Sequence, residues 1–172
     1  MQLYIPEVKD MKELKEMLKD NNNISEEYKV AVIVYAFDKD NKIIFQRRGP
    51  GCRDERFKLE TIGGRVKEDD ADFRTALNRE IIEEVGTGAN IEIGEFITST
   101  YATTFDNRYD KEQPWIYLVY KGTLKSGELA MAEPDKCLGY ERYKIGEVDE
   151  KELSNGAKEL YKIVSEKYND LK

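Results

Sequence analysis

The sequence contains no histidine at all, and only two cysteines, four prolines and one tryptophan in 172 residues. Without imidazole, Ser-His-Asp and Cys-His nucleophile systems and every histidine-ligated metal centre are excluded. Acid-base work must fall to carboxylates, lysine, tyrosine or metal-bound water. Carboxylate oxygens are hard ligands, which suit Mg²⁺ or Mn²⁺ better than zinc or copper. Cys52 and Cys137 are far apart and form no CxxC pair. Neither a disulfide framework nor a thiolate zinc site is expected, and a reducing, cytoplasmic setting is. Basic excess is missing too: 28 Lys and Arg face 35 Asp and Glu, a net charge of −7. A nucleic-acid polymer or an anionic membrane is therefore not the expected partner, because there is no surplus cation to displace counterions. No apolar run approaches the roughly 18 residues of a membrane span. The opening MQLYIPEVKDMKEL has neither the basic nor the apolar region of an export signal.

What is present is an ordinary globular composition, 40% hydrophobic, without internal repeats, low-complexity tracts or a linker. Val8, Met11, Leu14, Met17 and Leu18 recur at helical spacing and predict an N-terminal amphipathic helix whose stripe, methionines included, packs on the rest. YKVAVIVYAF (28–37) and KIIFQRR (42–48) flank a DKDN turn and predict a hairpin. FKLETI (57–62) predicts a short strand broken by Gly63 and Gly64. Asp69, Asp70 or Asp72 then caps a helix of about 15 residues that Gly86 ends. Residues 90–105 and 114–124 read as long strands around the polar loop DNRYDKEQ, a shorter extended piece covers 140–145, and a final helix runs from about 154 to 171. The expected fold class is α/β, a mixed sheet between helices, with residues 1–27 a helical extension packed on a domain spanning 28–172.

The segment NREIIEEVG (78–86) puts Glu80, Glu83 and Glu84 within about 100° of arc on one helical face. Phe73, Ala76 and Leu77 share that azimuth, so the acids are aimed inward, where desolvation and repulsion cost several kcal/mol at an effective dielectric of about 20. Divalent cations would relieve it. Arg79, four residues before Glu83, has the spacing to hydrogen-bond that carboxylate. A solvated charged face is the alternative.

The whole stretch GGRVKEDDADFRTALNREIIEEVG (63–86) resembles the Nudix box, written G-x5-E-x7-R-E-U-x-E-E-x-G-U with U a bulky aliphatic residue. Arg79, Glu80, Ile81, Glu83, Glu84 and Gly86 occupy their expected places. Asp70 stands where Glu is usual, one extra residue separates it from Arg79, Thr87 replaces the last aliphatic, and Ile62 replaces the usual proline. Asp70 also reads simply as a helix cap. The resemblance implies a Nudix fold, an α/β/α sandwich, with Mg²⁺ (or Mn²⁺) held by Glu80, Glu83, Glu84 and the Gly64 carbonyl, and with Arg79 orienting the acids. It implies hydrolysis of a nucleoside diphosphate linked to another group by activated water, with Glu83 the first choice of general base and Glu133 or Glu112 the alternatives. A second segment, EPDKCLGYERYKIGEV (133–148), is similar to an E-P-x-K-C-x-x-W-x-W stretch of some nucleotide-hydrolysing members, with Tyr140 and Tyr143 in place of tryptophans. A plain turn is the alternative reading of Glu133.

Arg47 and Arg48, ending a strand beside a Gly-Pro-Gly loop, are candidate phosphate ligands, with surface ion pairing as the alternative. Tyr101, Phe105, Tyr109, Trp115 and Tyr143 are candidates to stack a base; packing also explains the strand aromatics, so Tyr109 in the polar loop stands out. The expected substrate is a nucleoside triphosphate or modified nucleotide, cleaved to monophosphate and pyrophosphate by a monomer or homodimer. ADP-ribose or dinucleotide cleavage and non-catalytic nucleotide binding are the rival readings.

Overall fold

The computed structural model describes every residue from Met1 to Lys172. Its elements run β1 (Gln2–Leu3), α1 (Met11–Leu18), β2 (Lys29–Phe37), β3 (Ile43–Arg48), β4 (Leu59–Glu60), β5 (Ile62–Arg65), α2 (Phe73–Val85), β6 (Ala89–Asp106), β7 (Lys111–Gly127), β8 (Cys137–Tyr143) and α3 (Asn155–Lys167). One eight-stranded sheet follows the order β1-β6-β7-β2-β3-β4, with β5 added to β2 and β8 to β3. Pairing of β2 with β7 is parallel and the other pairings are antiparallel, so the sheet is mixed as expected. No helix is long and apolar enough to cross a membrane.

The pleat of β2 divides the core. Val30, Val32, Val34 and Ala36 turn to one face, where Leu14 and Leu18 of α1 and Phe73, Ala76, Leu77, Ile81 and Val85 of α2 cover them. Tyr35 and Phe37 turn to the other, against Ala157, Leu160, Tyr161 and Val164 of α3. A strand buried on both faces needs the near-continuous apolar run that the sequence supplies, and each fully buried large side chain contributes about 1.5–3 kcal/mol. The result is an α/β/α sandwich.

The N-terminal segment adds Leu3, Val8 and Ile24 to the same core as α2. Asp10 caps α1 by accepting from the Glu13 N–H at 2.9 Å, and Glu13 reaches back to the Lys9 N–H at 2.9 Å. The chain is also stitched to α2: the Phe73 N–H donates to the Lys9 carbonyl at 2.8 Å, and Arg74 pairs with Glu7 at 2.8 Å. Met17 departs from the expected stripe and is exposed, because Leu14 and Leu18 already cover the sheet.

Three other expectations need correction. The first hairpin splays at once, β2 and β3 pairing only at Phe37 with Ile43, because β5 takes the remaining edge of β2. Gly63 and Gly64 do not break a strand; they lie inside β5, opposite Ile33 and Val32. Half of the polar loop DNRYDKEQ is strand, since β6 and β7 stay paired out to Asp106 and Lys111 and only residues 107–110 turn.

Candidate active site

Helix α2 begins at the Asp72 cap, whose carboxylate accepts from the Thr75 N–H at 2.7 Å, and it ends at Gly86, whose N–H donates to the Ile82 carbonyl. Asp72 rather than Asp70 is therefore the cap. Asp70 has a different task. Its two oxygens receive the Arg79 guanidinium as a fork, at 2.8 Å from Nε and 2.7 Å from Nη2. Arg79 continues to Glu80 at 2.8 Å, to Glu83 at 3.3 Å and to the Arg65 carbonyl at 3.1 Å. The expected Arg79–Glu83 link exists, but it is the loosest of the set.

The acids do not share one environment. Glu80 is buried against Gly64, so closely that a Cβ on Gly64 would overlap its carboxyl group. Burial raises its pKa against the opposing pull of Arg79. Glu84 is half-buried one turn on and accepts from the Gly63 N–H at 3.0 Å. Burial pushes it up to about 8, with the Gly63 hydrogen bond only partly offsetting the loss of water. Glu83, expected to point inward with them, keeps 45% of its side chain exposed and has Lys67 at 3.7 Å as a second cation. The shared azimuth of Glu80 and Glu84 with the apolar seam carries those two inward; Glu83 falls at its solvent edge.

A donor set of three carboxylates beside the Gly64 backbone is all hard oxygen, as Mg²⁺ or Mn²⁺ requires. Two of the three carry a desolvation penalty that a cation would relieve, so the residues fit a divalent ion. As they stand, no three acidic side chains converge closely enough to share one ion, because Arg79 lies between Glu80 and Glu83.

Gly63, Gly64 and Glu84 lie on the wall of a cleft of about 660 Å³ between the sheet and the N-terminal end of α3. Its floor carries Trp115 and Tyr117, stacked with centroids 6.2 Å apart, and Phe105 at the rim. The Trp115 indole N–H donates to Thr104 at 3.0 Å, which fixes the ring. Glu60 also lines the cleft, accepting from Ser154 at 2.5 Å and from the Thr61 N–H at 3.1 Å, with its pKa raised by burial. Sequence reasoning missed Glu60, Arg65 and Tyr117. Only strand alternation linking 115 to 117 could have signalled the last of these.

The remaining candidates separate. Arg48 lines the cleft, with its guanidinium on Asp54 at 3.0 Å. Arg47, one residue earlier, faces away and is held by Glu141 at 2.7 and 2.8 Å and by Glu152 at 2.6 Å, so its donors are spent on the fold. Tyr109 stands 65% exposed at the β6–β7 turn beneath Arg108, away from the cleft lining. Phe105 and Trp115 are the aromatics the cleft contains, while Tyr101 accepts from the Ser25 N–H and Tyr143 donates to Glu141. Glu133 is paired with Lys136 at 2.9 Å, on the segment that crosses the end of α2, and its charge helps raise Glu84. Glu112 is exposed opposite Phe105 in the β6–β7 ladder and does not line the cleft.

The NUDIX domain model matches residues 27–164, and the chain belongs to that family. As a member, it is a hydrolase acting on phosphorus-containing acid anhydrides. No curated relative matches the sequence. Solved structures share the fold. A MutT NUDIX hydrolase from Burkholderia pseudomallei superposes with a TM-score of 0.62 at 22% identity, covering 81% of this chain and 99% of its own. A MutT protein from Methanosarcina mazei Go1 gives 0.64 at 15% identity, with 84% and 98% covered. The NUDIX domain of Shewanella oneidensis NrtR, complexed with ADP ribose, gives 0.63 at 13% identity, with 92% and 99% covered.

Proposed function

We propose that this chain is a Mg²⁺-dependent pyrophosphohydrolase that cleaves a nucleoside triphosphate or modified nucleotide to the monophosphate and pyrophosphate, with Mn²⁺ able to replace Mg²⁺. The observation that carries the reading is a pair of desolvated carboxylates, Glu84 on the wall of a cleft whose floor is aromatic and Glu80 packed against Gly64 of that same wall. Such a cleft offers one end to a charged diphosphate and the other to a flat base.

Glu80, Glu83, Glu84 and the Gly64 carbonyl would hold the metal. When bound, it lowers the pKa of water and neutralises charge on the phosphoryl oxygens. The chain's own groups do the rest. Glu83, the least constrained of the three acids, takes the proton of the attacking water as its oxygen bonds to phosphorus and the bridging P–O bond breaks, the electron pair leaving with the departing group. Arg79, clamped by Asp70, keeps Glu80 in place during that step. Tyr117 stacks the base, since the Lys29 ammonium already lies over the Trp115 ring, 5.7 Å from its centroid, and Arg48 lines the cleft and can take a phosphate if Asp54 releases it.

A second reading is cleavage of ADP-ribose or a dinucleotide, favoured by the ADP ribose held in the NrtR domain of the same fold. Product identity separates the two. A panel of nucleoside triphosphates, ADP-ribose, dinucleotides and nucleotide sugars is incubated with Mg²⁺. Pyrophosphate with nucleoside monophosphate supports the first reading; AMP with a sugar phosphate supports the second; no hydrolysis of any member refutes both.

A further inference from the structure

The chain has nine arginines in the sequence, and eight of them spend their guanidinium on a carboxylate or a backbone carbonyl. Arg65 is the exception: it makes no side-chain hydrogen bond and no ion pair, in a protein with more acids than bases, and it lines the cleft. It follows Gly64 directly at the end of β5, and its own carbonyl receives Arg79, so its backbone is fixed beside the acids of α2.

A second cation stands on the same face of the sheet, although it is not among the residues that line the cleft. β5 pairs Arg65 with Ala31, so Lys29 and Arg65 lie diagonally on the same face of the sheet. Lys29 also forms no ion pair; its ammonium lies over the Trp115 ring, 5.7 Å from the centroid. Burial lowers its pKa, and the neighbouring Arg65 charge adds to the fall. Two unneutralised like charges repel, and folding gains nothing from their proximity. An anion between them would turn that cost into binding. Those already nearby do not serve, since Asp106 is held by Arg108 at 2.9 Å and Arg53 at 3.6 Å.

We propose that Arg65 and Lys29 form a subsite for a phosphate beyond the scissile diphosphate, so that the enzyme selects a chain of three or more phosphates over a diphosphate ending in an uncharged sugar. This rests on the reading of the cleft as a nucleotide pyrophosphohydrolase and adds the determinant of its substrate class. The guanidinium fork suits a terminal phosphate with two or three free oxygens and finds nothing equivalent on ribose.

The test is a ratio, read by calorimetry in Mg²⁺. An α,β-methylene nucleoside triphosphate and its α,β-methylene diphosphate counterpart, which carry carbon at the bridge to be cut, are compared on the intact chain and on Arg65→Ala, Lys29→Ala and the double variant. The intact chain is expected to hold the triphosphate at least tenfold tighter. Arg65→Ala should erase most of that preference, by roughly 10- to 100-fold for one charge-assisted contact, while changing diphosphate affinity less than threefold. Arg65→Lys should restore part of it. Equal weakening of both ligands would place Arg65 on the shared diphosphate and overturn the proposal, as would an unchanged ratio in the double variant. Melting curves of the ligand-free variants separate a folding defect from a lost contact. Should the chain hydrolyse nucleotides while the ratio ignores Arg65, only this subsite fails; should it hydrolyse none, the reading beneath it fails.

Discussion

The two adjacent glycines of β5 should fail in opposite ways when each is given a methyl group. An alanine Cβ at Gly64 would sit 2.8 Å from Glu80 Oε1 and nearer still to the other two carboxyl atoms. Comfortable contact lies near 3.5 Å or more, so Glu80 must withdraw by about 1 Å. The backbone at Gly64 is not in the left-handed region, so alanine itself is tolerated there. Withdrawal loosens the 2.8 Å bond to Arg79, but it also returns a desolvated carboxylate toward water, and the two effects oppose each other. Stability should change by less than about 1 kcal/mol, or roughly 2–4 °C in Tm for a chain of this length. Activity has no such offset, since a 1 Å displacement of a site group costs about 100-fold. Gly63 differs on both counts. Its φ is +155°, and a Cβ there would lie 2.9 Å from the Ile33 Cα and still closer to the Val32 carbonyl, which are backbone atoms that cannot swing away. Gly63→Ala should therefore cost about 2–4 kcal/mol and lower Tm by roughly 5–15 °C. The assay pairs a metal-free thermal melt with kcat/KM in Mg²⁺ for each variant. If Gly64→Ala keeps full activity, or melts as early as Gly63→Ala, then the close approach of Glu80 to the β5 backbone does not serve catalysis.

Glu83→Gln should lower kcat by at least about 100-fold with Tm within a few degrees of the parent, because Glu83 is exposed and only loosely bonded; near-normal turnover removes its role as base. Metal binding should depend on pH in a defined direction. Glu84 has its pKa raised to about 8, above the ordinary 4.5, so the protonated form stabilises the metal-free fold below pH 4.5 and that contribution is lost as pH rises toward 8. Metal requires the carboxylate, so the Tm rise caused by Mg²⁺ should be larger at pH 8 than at pH 6. At a metal concentration one hundred times Kd, the stabilisation is about 2.7 kcal/mol, or roughly 5–10 °C. A Mg²⁺ effect that is equal at the two pH values, or larger at pH 6, contradicts the assignment of Glu84 as a ligand.

How much of this was legible in sequence depended on whether a residue's partner was local. Glu80, Glu83, Glu84 and Arg79 lie within two helical turns, and 100° per residue suffices to bring them together. Asp70 was undervalued because its ion pair crosses the loop before the helix, and the extra residue there hid the match; the loop absorbs the insertion, and Arg79 still receives a fork from it. Arg47 and Arg48 were indistinguishable as an adjacent pair, and only the register of β3 against β8 and β4 sends one to Glu141 and the other to the cleft. Tyr109 looked functional because it lay in a polar segment, yet the ladder of β6 with β7 extends through that segment and leaves Tyr109 at its tip. Glu60 carried no local pattern at all. Its partner Ser154 is 94 residues away, and nothing short of the tertiary fold brings the two together.

The question posed by three crowded glutamates is answered, before any metal, by Arg79. One guanidinium faces Asp70, Glu80 and Glu83, while Glu84 is left to the Gly63 N–H. Neutralisation is therefore partial: the arginine lets the helix fold with Glu80 inward and leaves negative charge for a divalent ion to meet. This division of labour predicts a specific result for Arg79→Lys. Lysine keeps the charge but lacks the planar fork, so it cannot hold both oxygens of Asp70 while also reaching Glu80. Loss of a bidentate charge-assisted contact at a partly buried site should cost about 2–3 kcal/mol of stability. Asp70→Asn should cost a similar amount. Because both changes break the same contact, the double variant should be little worse than either alone, with a coupling energy of about 1–3 kcal/mol in a thermal or denaturant cycle. Additive losses would mean that Asp70 and Arg79 act independently and that the brace assigned to them does not exist.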